Sequence, residues 1–403
     1  MRLPPCRTAG GGRRVTRCGE SSKDRMSRLS FVIIALHAYI GARLLSDLPG
    51  GVAGVVVGIA ILAASAWVIP YGFNARQRKF GQAESRRMWA GLLAMGAFST
   101  LFVLTVLRDA VLFGMLALVH WTGAALPIAA IARDTAIAVP LLTLLITALG
   151  YVNARRVAQV RNIDVPITAL PAALHGFTIV QITDLHVGPT IGREYVEKIV
   201  ASVNRLEADV VAITGDLVDG SVRQLSAHVQ PLASLASRHG TFFVTGNHEY
   251  YSGVGAWVSE LRRLGLNVLV NEHVVLDHEG ASLVLAGVTD FGAHHYDASH
   301  RSDPGAALAG APGDAGAKVL LAHQPRSAAA AHRAGFDLQL SGHTHGGQFL
   351  PWNFFVRFQQ PFTAGLAKLG RLWVYTSRGT GYWGPPKRFG APSEITRVRL
   401  VAG

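Results

Sequence analysis

Within the first 152 residues, apolar runs follow one another at roughly residues 29–46, 51–73, 88–107, 110–132 and 135–152. Each is near the ~20 residues a helix needs to cross ~30 Å of hydrocarbon. Water does not reach that depth, so a crossing segment must satisfy its own backbone, which a helix does. Pro70, Pro127 and Pro140 are tolerated in such helices, and Arg43 stands near a run's end, where its stem can snorkel to the interface. About five membrane helices are therefore expected over residues 29–152, behind a basic tail at 1–28. Met26 opens MSRLSFVIIALHAYI, a more natural start than Met1, so residues 1–25 read as an over-extended frame or a disordered tail.

Orientation follows the Lys/Arg bias of short connections. The tail is basic, and the 74–87 stretch carries Arg76, Arg78, Lys79, Arg86 and Arg87, so both are assigned to the cytoplasm. Arg108-Asp109 and Arg133-Asp134 read as short, nearly neutral turns. Five crossings then place residue 153 onward on the outer face. Arg155, Arg156 and Arg161 pull the other way, toward the inner side that four crossings would require. The expectation adopted is five crossings with the back part outside. His37 and His120 fall inside spans, where an ionisable group is either functional or neutral and hydrogen-bonded between helices. The spans offer neither paired charges nor broken helices, so they give no sign of transport.

The charge is uneven. Residues 1–152 hold 16 Lys+Arg against 6 Asp+Glu, and residues 153–403 hold 22 against 19, while fourteen of the 16 histidines lie in the second part. The basic pI thus belongs to the front, and the back carries no footprint of a nucleic-acid groove. Cys6 and Cys18 are the only cysteines, which excludes a disulfide framework for the rest.

After a linker at 153–175 with Pro166 and Pro171, residues 176–403 alternate strands and helices. Strands are expected at 177–183, 210–214, 241–245, 282–288, 317–322, 336–340, 372–376 and 395–400, with helices at 192–207, 221–237 and 254–265. Apolar β-branched strands alternating with helices describe a sheet covered on its faces, with the ligand site at the strand ends.

Those ends carry the chemistry. Gly342-His343-Thr344-His345-Gly346-Gly347 follows one strand; in extended backbone the two histidines project to the same side. Other strands run into Asp184-Leu185-His186, Gly215-Asp216-Leu217-Val218-Asp219, Gly246-Asn247-His248-Glu249 and His323. One such junction could be a helix cap or a turn. Five together supply carboxylate, imidazole and amide oxygen, too many for one ion, and that mixture suits a pair of divalent first-row cations. Two ions about 3.5–4 Å apart are a device for phosphoryl transfer.

These motifs, DxH, GDxxD, GNHE, a lone His and GHTH in order, resemble the calcineurin-like metallophosphoesterase superfamily over residues ~175–400. Arg378-Gly-Thr-Gly and Pro385-Pro386-Lys-Arg-Phe-Gly-Ala-Pro392, followed by Glu394, look like the branch of membrane-linked phosphodiesterases and UDP-diacylglucosamine hydrolases. The resemblance implies a two-sheet α/β sandwich flanked by helices. It implies one metal held by Asp184, His186 and His345, a second by Asn247, His323 and His343, and Asp216 bridging both. The ions would be Mn, Fe or Zn. His248 would be the catalytic histidine that contacts the phosphate, as proton donor or as electrostatic stabiliser, and Asp219 and Glu249 would either orient ligands from behind or fill ordinary turn or surface roles.

The expected whole is a polytopic membrane protein in which metal-bound hydroxide, assisted by His248, hydrolyses a phosphodiester of a membrane-borne or nucleotide-linked lipid. Its expected partners are that substrate and the lipid bilayer, with no nucleic acid. A phosphomonoesterase, a soluble-nucleotide phosphodiesterase and a non-catalytic metal-binding sensor are the alternatives. Arg378 could clamp a phosphate or sit in a salt bridge. Trp352, Phe354, Phe355, Phe358, Phe362, Tyr382 and Trp383 could form a membrane-dipping rim or pack in the core. His294, His295 and His300 are expected to face solvent.

Overall fold

The computed structural model describes residues 22–73 and 82–403; the tail at 1–21 and the basic stretch at 74–81 lie outside the described residues. Among these, the apolar front folds into four helices, α1 (Ser22–Leu44), α2 (Gly51–Phe73), α3 (Gln82–Thr122) and α4 (Ile128–Arg155). Three of them, over Gly51–Gly72, Ala83–Thr122 and Ile128–Arg155, are long and apolar enough to cross a membrane. The expected five become four because α3 runs on for 41 residues through Arg108-Asp109. No Gly or Pro interrupts residues 103–113, and the two charges find partners across the bundle. Arg108 donates to Asp47, to the Arg43 and Ala132 carbonyls and to Thr135, while Asp109 accepts from Arg43 at 2.8 Å and Tyr39 at 2.6 Å. The spans therefore do hold paired charges, contrary to expectation. His37 donates from Nδ1 to the Ile33 carbonyl and accepts the Ser65 hydroxyl at Nε2, so it is hydrogen-bonded between helices. His120 is exposed.

Helices α2 and α3 approach closely at small residues. A Cβ on Gly91 would lie 2.6 Å from the Val68 carbonyl oxygen and 2.7 Å from the Gly72 nitrogen, so only glycine permits this backbone contact.

The expected linker is not one. Residues Gln159–Ile167 form β1, which pairs in parallel along its whole length with the last strand. Pro166 is accommodated because β1 is an edge strand. The first sheet has the order β1-β12-β2-β3-β4-β5, using β2 (Thr178–Ile182), β3 (Val210–Ile213), β4 (Thr241–Phe243), β5 (Asn267–Val268) and β12 (Glu394–Ala402). The second has the order β10-β11-β9-β8-β7-β6, using β6 (Glu272–His278), β7 (Ala281–Gly287), β8 (Ala317–Leu321), β9 (Leu338–Ser341), β10 (Gly365–Leu369) and β11 (Leu372–Thr376). Strands β2 to β5 are mutually parallel, as are β7, β8, β9 and β11; antiparallel β6 and β10 close the second sheet's edges.

The two sheets pack face to face. In β3 the period of two sends Val210 and Ala212 into the inter-sheet core with Leu285, Val319 and Leu340. Val211 and Ile213 face the other way, against Val196, Leu225 and Trp257 from α5 (Arg193–Asn204), α6 (Val222–Val229) and α8 (Val254–Arg263), with α7 (Asn247–Ser252) just before α8. Each such fully buried Val or Ile is worth about 1.5–3 kcal/mol. Helices α9 (Pro304–Ala307) and α10 (Ala328–Ala334) cover the second sheet's outer face. This is the expected sandwich flanked by helices, and its parallel strands end together on one side.

Candidate metal centre

Every expected ligand stands at that side. Asp184 and His186 follow β2, Asp216 follows β3, Asn247 opens α7 after β4, His323 follows β8, and His343 and His345 follow β9. The chain turns sharply to bring them together. Asp184, His186, Asp216, His343 and His345 all have positive φ, half of the ten non-glycine residues described in that region. Such backbone is unfavourable for side chains with a Cβ, and its concentration here marks a site held in shape by its surroundings. The preceding glycines follow from contact: a Cβ on Gly342 would sit 2.2 Å from Asp184 Oδ2, and one on Gly246 2.3 Å from Asp216 Oδ1.

Two ligand groups result. In one, His345 Nε2 lies 3.1 Å from His186 Nε2 and 3.3 Å from Asp184 Oδ1. In the other, His323 Nε2 lies 3.2 Å from Asp216 Oδ2 and 3.1 Å from His343 Nδ1. Asp216 Oδ2 is also 3.9 Å from His186 Nε2, so one carboxylate faces both groups. All of these side chains are buried or nearly so. The donor set fits a divalent cation on a further observation: Asn247 Oδ1 is buried and makes no hydrogen bond. A buried amide oxygen left unpaired is rare and asks for a partner.

The electrostatics agree. Burial disfavours the His323 imidazolium, yet the charge of Asp216 and a hydrogen bond to it push the ring up to about 10. Burial and then the neighbouring His323 charge push His343 down to about 3. His323 is therefore charged beside Asp216 while His343 stays neutral, a positive charge where a cation would be held. Burial acts to raise Asp216, but the rings of His248 and His323 hold it well below the usual carboxylate range.

His248 Nε2 is 3.7 Å from Asp216 Oδ2, and its Nδ1 hydrogen-bonds Asp219 Oδ1. The other Asp219 oxygen is 3.3 Å from His186 Nδ1 without a hydrogen bond, so this carboxylate fixes the His248 ring and lies beside that of His186. Glu249 instead holds backbone, accepting the N–H groups of Asp216, Leu217, Val218 and Gly246. Arg378 pairs with Glu394 at 3.1 Å. Of the aromatics, Tyr382 is buried and donates to the Thr190 carbonyl, while Trp352, Phe354, Phe355, Phe358 and Trp383 are exposed and not in the core. Tyr251 and Trp383 flank the His248 ring. His295 is exposed, and His300 accepts from or donates to Tyr250 at 2.8 Å.

Arg388 went unnoticed in the sequence. It is 1% exposed and donates to the Gly381 and Ala391 carbonyls, and its Nη2 lies 3.2 Å from His345 Nδ1. Its signal was present in the Pro385-to-Pro392 motif, but an arginine between Lys and Phe gives no hint of burial.

Residues 177–347 match the family model for calcineurin-like phosphoesterases. A metallophosphoesterase of Aquifex aeolicus is 33% identical over 55% of this chain and 84% of that protein. The chain belongs to this family. A Bos taurus transmembrane protein with metallophosphoesterase domain is 41% identical over 65% of this chain and 61% of its own length. A Helicobacter pylori metallophosphoesterase is 42% identical over 55% of this chain and 59% of that protein. The chain thus spans about three fifths of the length of the first relatives it matches, 61% and 63%. The family and the His/Asp groups together point to divalent metal binding.

Proposed function

We propose that this protein is a membrane-anchored hydrolase of phosphoester bonds working with two divalent cations. The observation that carries the reading is the pair of ligand groups sharing Asp216, with the unpaired Asn247 oxygen beside it. Asp184, His186 and His345 would hold the first ion and Asn247, His323 and His343 the second, with Asp216, whose Oδ2 faces both groups, serving both. When bound, the ions supply a water acidic enough to ionise near neutral pH and positive charge for the phosphate oxygens. His248, fixed at Nδ1 by Asp219, turns Nε2 toward the same volume, where it contacts a phosphate oxygen and can deliver a proton to the leaving group. The substrate class is a phosphodiester on a membrane-borne lipid or nucleotide-linked lipid, supported by the apolar helices that keep the site at a bilayer.

The helix count bears on the side of the membrane. Helices α2, α3 and α4 alternate in direction, so the end of α4 that enters β1 lies with the end of α2 and the start of α3. Arg86, Arg87, Arg155, Arg156 and Arg161 belong to this end, and the sequence between α2 and α3 adds Arg76, Arg78 and Lys79, whereas the connections at 45–50 and 123–127 carry no Lys or Arg. The positive-inside bias then favours a cytoplasmic catalytic domain. The outer-face expectation depended on a fifth crossing.

Metal-loaded protein is expected to hydrolyse bis-(p-nitrophenyl) phosphate in preference to p-nitrophenyl phosphate with Mn²⁺. Asp216→Ala and His248→Ala should abolish or cripple this. Unchanged turnover in both variants would refute the mechanism. Alkaline phosphatase fused after Gly403 should be inactive in a bacterial host, and an active fusion would reverse the orientation.

A further inference from the structure

Residues 350–358 leave the site-forming loop and reach the flank of the membrane helices. Phe349 is buried, and the Leu350 carbonyl accepts the Ser99 hydroxyl of α3 at 2.6 Å. Gly91 of α3 is level with the last turn of α2, and Ser99 lies eight residues further along the helix. At 1.5 Å per residue that is about 12 Å deeper into the apolar bundle. Lys387 marks the same depth: its ammonium donates to the Gly96 carbonyl of α3 at 2.7 Å and to Thr147 of α4 at 3.3 Å. From this anchored start, Trp352–Phe355 forms a short helix (α11) and Val356–Phe358 one further turn. Trp352, Phe354, Phe355 and Phe358 are 53%, 52%, 50% and 80% exposed. Residues 350–372 contain no Asp or Glu but include Arg357, Lys368 and Arg371.

Four large aromatics left uncovered on one short segment are unusual for a surface that faces water. The cover they imply follows from their position. Helices α2 and α3 expose Val56, Ile59, Trp67, Leu93 and Val106, the surface that hydrocarbon covers, and the segment is tied to α3 within that stretch. Aromatic and basic side chains without acidic ones suit the headgroup boundary of an anionic leaflet.

We propose that residues 350–358 are a membrane-inserted wedge: Trp352, Phe354, Phe355 and Phe358 enter the leaflet on the catalytic domain's side, next to α3. The wedge begins three residues after Gly347 and so pulls the mouth of the metal centre onto the headgroup layer. Lipid-borne phosphoesters then reach His343 and His345 without leaving the membrane surface. This second consequence rests on the proposed phosphoesterase reading; insertion itself does not.

The test uses full-length protein with Cys6 and Cys18 replaced by Ser, reconstituted in vesicles of phosphatidylcholine and phosphatidylglycerol. An environment-sensitive fluorophore is attached at Phe358→Cys and, as a control, at Glu279→Cys, which is exposed on the catalytic domain. The expected result is quenching at 358 by doxyl-labelled lipid and protection from aqueous iodide, with the reverse at 279. Iodide quenching at 358 without doxyl quenching overturns the wedge, as does protection from both, which would mean a protein covers it. Separately, Phe354→Ser/Phe358→Ser should lower hydrolysis of a vesicle-borne phosphodiester about tenfold and leave a soluble aryl phosphodiester unchanged. Equal loss on both substrates overturns the delivery role. Doxyl quenching in a protein with no hydrolysis on either substrate would sink the phosphoesterase reading and leave the wedge standing.

Discussion

Replacing Glu249 by Gln tests whether a buried charge holds the metal loops together. The carboxylate is fully buried and takes four backbone donors. Oε2 accepts Asp216 N–H at 3.0 Å and Gly246 N–H at 2.7 Å; Oε1 accepts Leu217 N–H at 2.8 Å and Val218 N–H at 3.3 Å. Glutamine has the same shape but only one acceptor oxygen. Whichever way its amide lies, two N–H groups meet an NH₂ and lose their partner. Each buried unsatisfied donor costs about 1–3 kcal/mol, and hydrogen bonds to a charged group contribute about 1.5–3 kcal/mol. Because the four bonds form one network and do not add, the loss comes to about 3–5 kcal/mol.

The protonation state decides when that loss appears. Burial, then the negative charge of Asp216, pushes Glu249 up to about 8 from 4.5. A folded-state pKa above the unfolded value means that folding favours the neutral acid. Glu249's contribution is therefore intact below the unfolded value of 4.5 and is lost as pH rises through about 8. A cation at Asp216 offsets the repulsion and favours the ionised carboxylate with its four donors. The variant should consequently melt on the order of 10 °C lower when metal-loaded at neutral pH. In chelator the difference should shrink, and the slope of melting temperature between pH 4.5 and 8 should flatten. Differential scanning fluorimetry in detergent, with and without Mn²⁺, measures both. If metal-loaded wild type and variant melt together, the charge at Glu249 does not hold the loops and the reasoning fails.

Asp219→Asn should lower kcat about 10–100-fold with little change in KM, since the carboxylate fixes the His248 ring at Nδ1; equal kcat in steady-state assays would contradict that role. His343→Ala and His345→Ala should each empty mainly one metal position, read as about half the wild-type metal by mass spectrometry, and complete loss in both would mean the groups do not load separately. With His323 raised to about 10 and His343 lowered to about 3, the metal-free pair carries one positive charge, on His323, over the range between those values. Metal loading at neutral pH should release about one proton there. Titration calorimetry in buffers of different ionisation enthalpy counts it, and a heat independent of buffer would exclude a charged His323.

The strands that position the site were legible because their signal is local. VVAIT or TFFVT between glycines and polar junctions can hardly be anything but a buried strand, and the residues after each strand differ from ordinary caps in repeating ligand chemistry five times. β1 was illegible for the opposite reason. QVRNIDVPI is mostly exposed, holds a proline and is a strand only because β12 arrives from the far end of the chain to pair with it. The same non-local logic hid the length of α3. Arg108-Asp109 breaks a hydropathy profile but not a helix once Arg43 and Thr135 from neighbouring helices and Asp47 from the α1–α2 connection meet the charges. Trp352 to Phe358 carried an aromatic signal with two readings, and burial alone separates them.

Lys387 and Arg388 explain why the two halves of this chain form one object. The Lys387 side chain runs between α3 and α4, where a Cβ on Gly150 would lie 2.7 Å from its Cγ and one on Gly96 3.5 Å from its Cδ. Its ammonium is met by the Gly96 carbonyl and the Thr100 and Thr147 hydroxyls, so no carboxylate is needed to bury it. The next residue turns the other way. The backbone N–H of Arg388 donates to the Gly150 carbonyl at 2.9 Å while its guanidinium lies against His345. The guanidinium lies against the Nδ1 side of His345, opposite the Nε2 that faces His186 and Asp184, and so limits how far the ring can rotate. Two successive residues thus connect the packing of α3 against α4 with the angle of one metal-facing imidazole. A flexible tether would need neither contact. Their presence, together with Ser99 on Leu350, means that the catalytic domain is held at a fixed height and tilt over the bundle. With that height fixed, the proposed wedge at residues 350–358 would hold the site against a single leaflet.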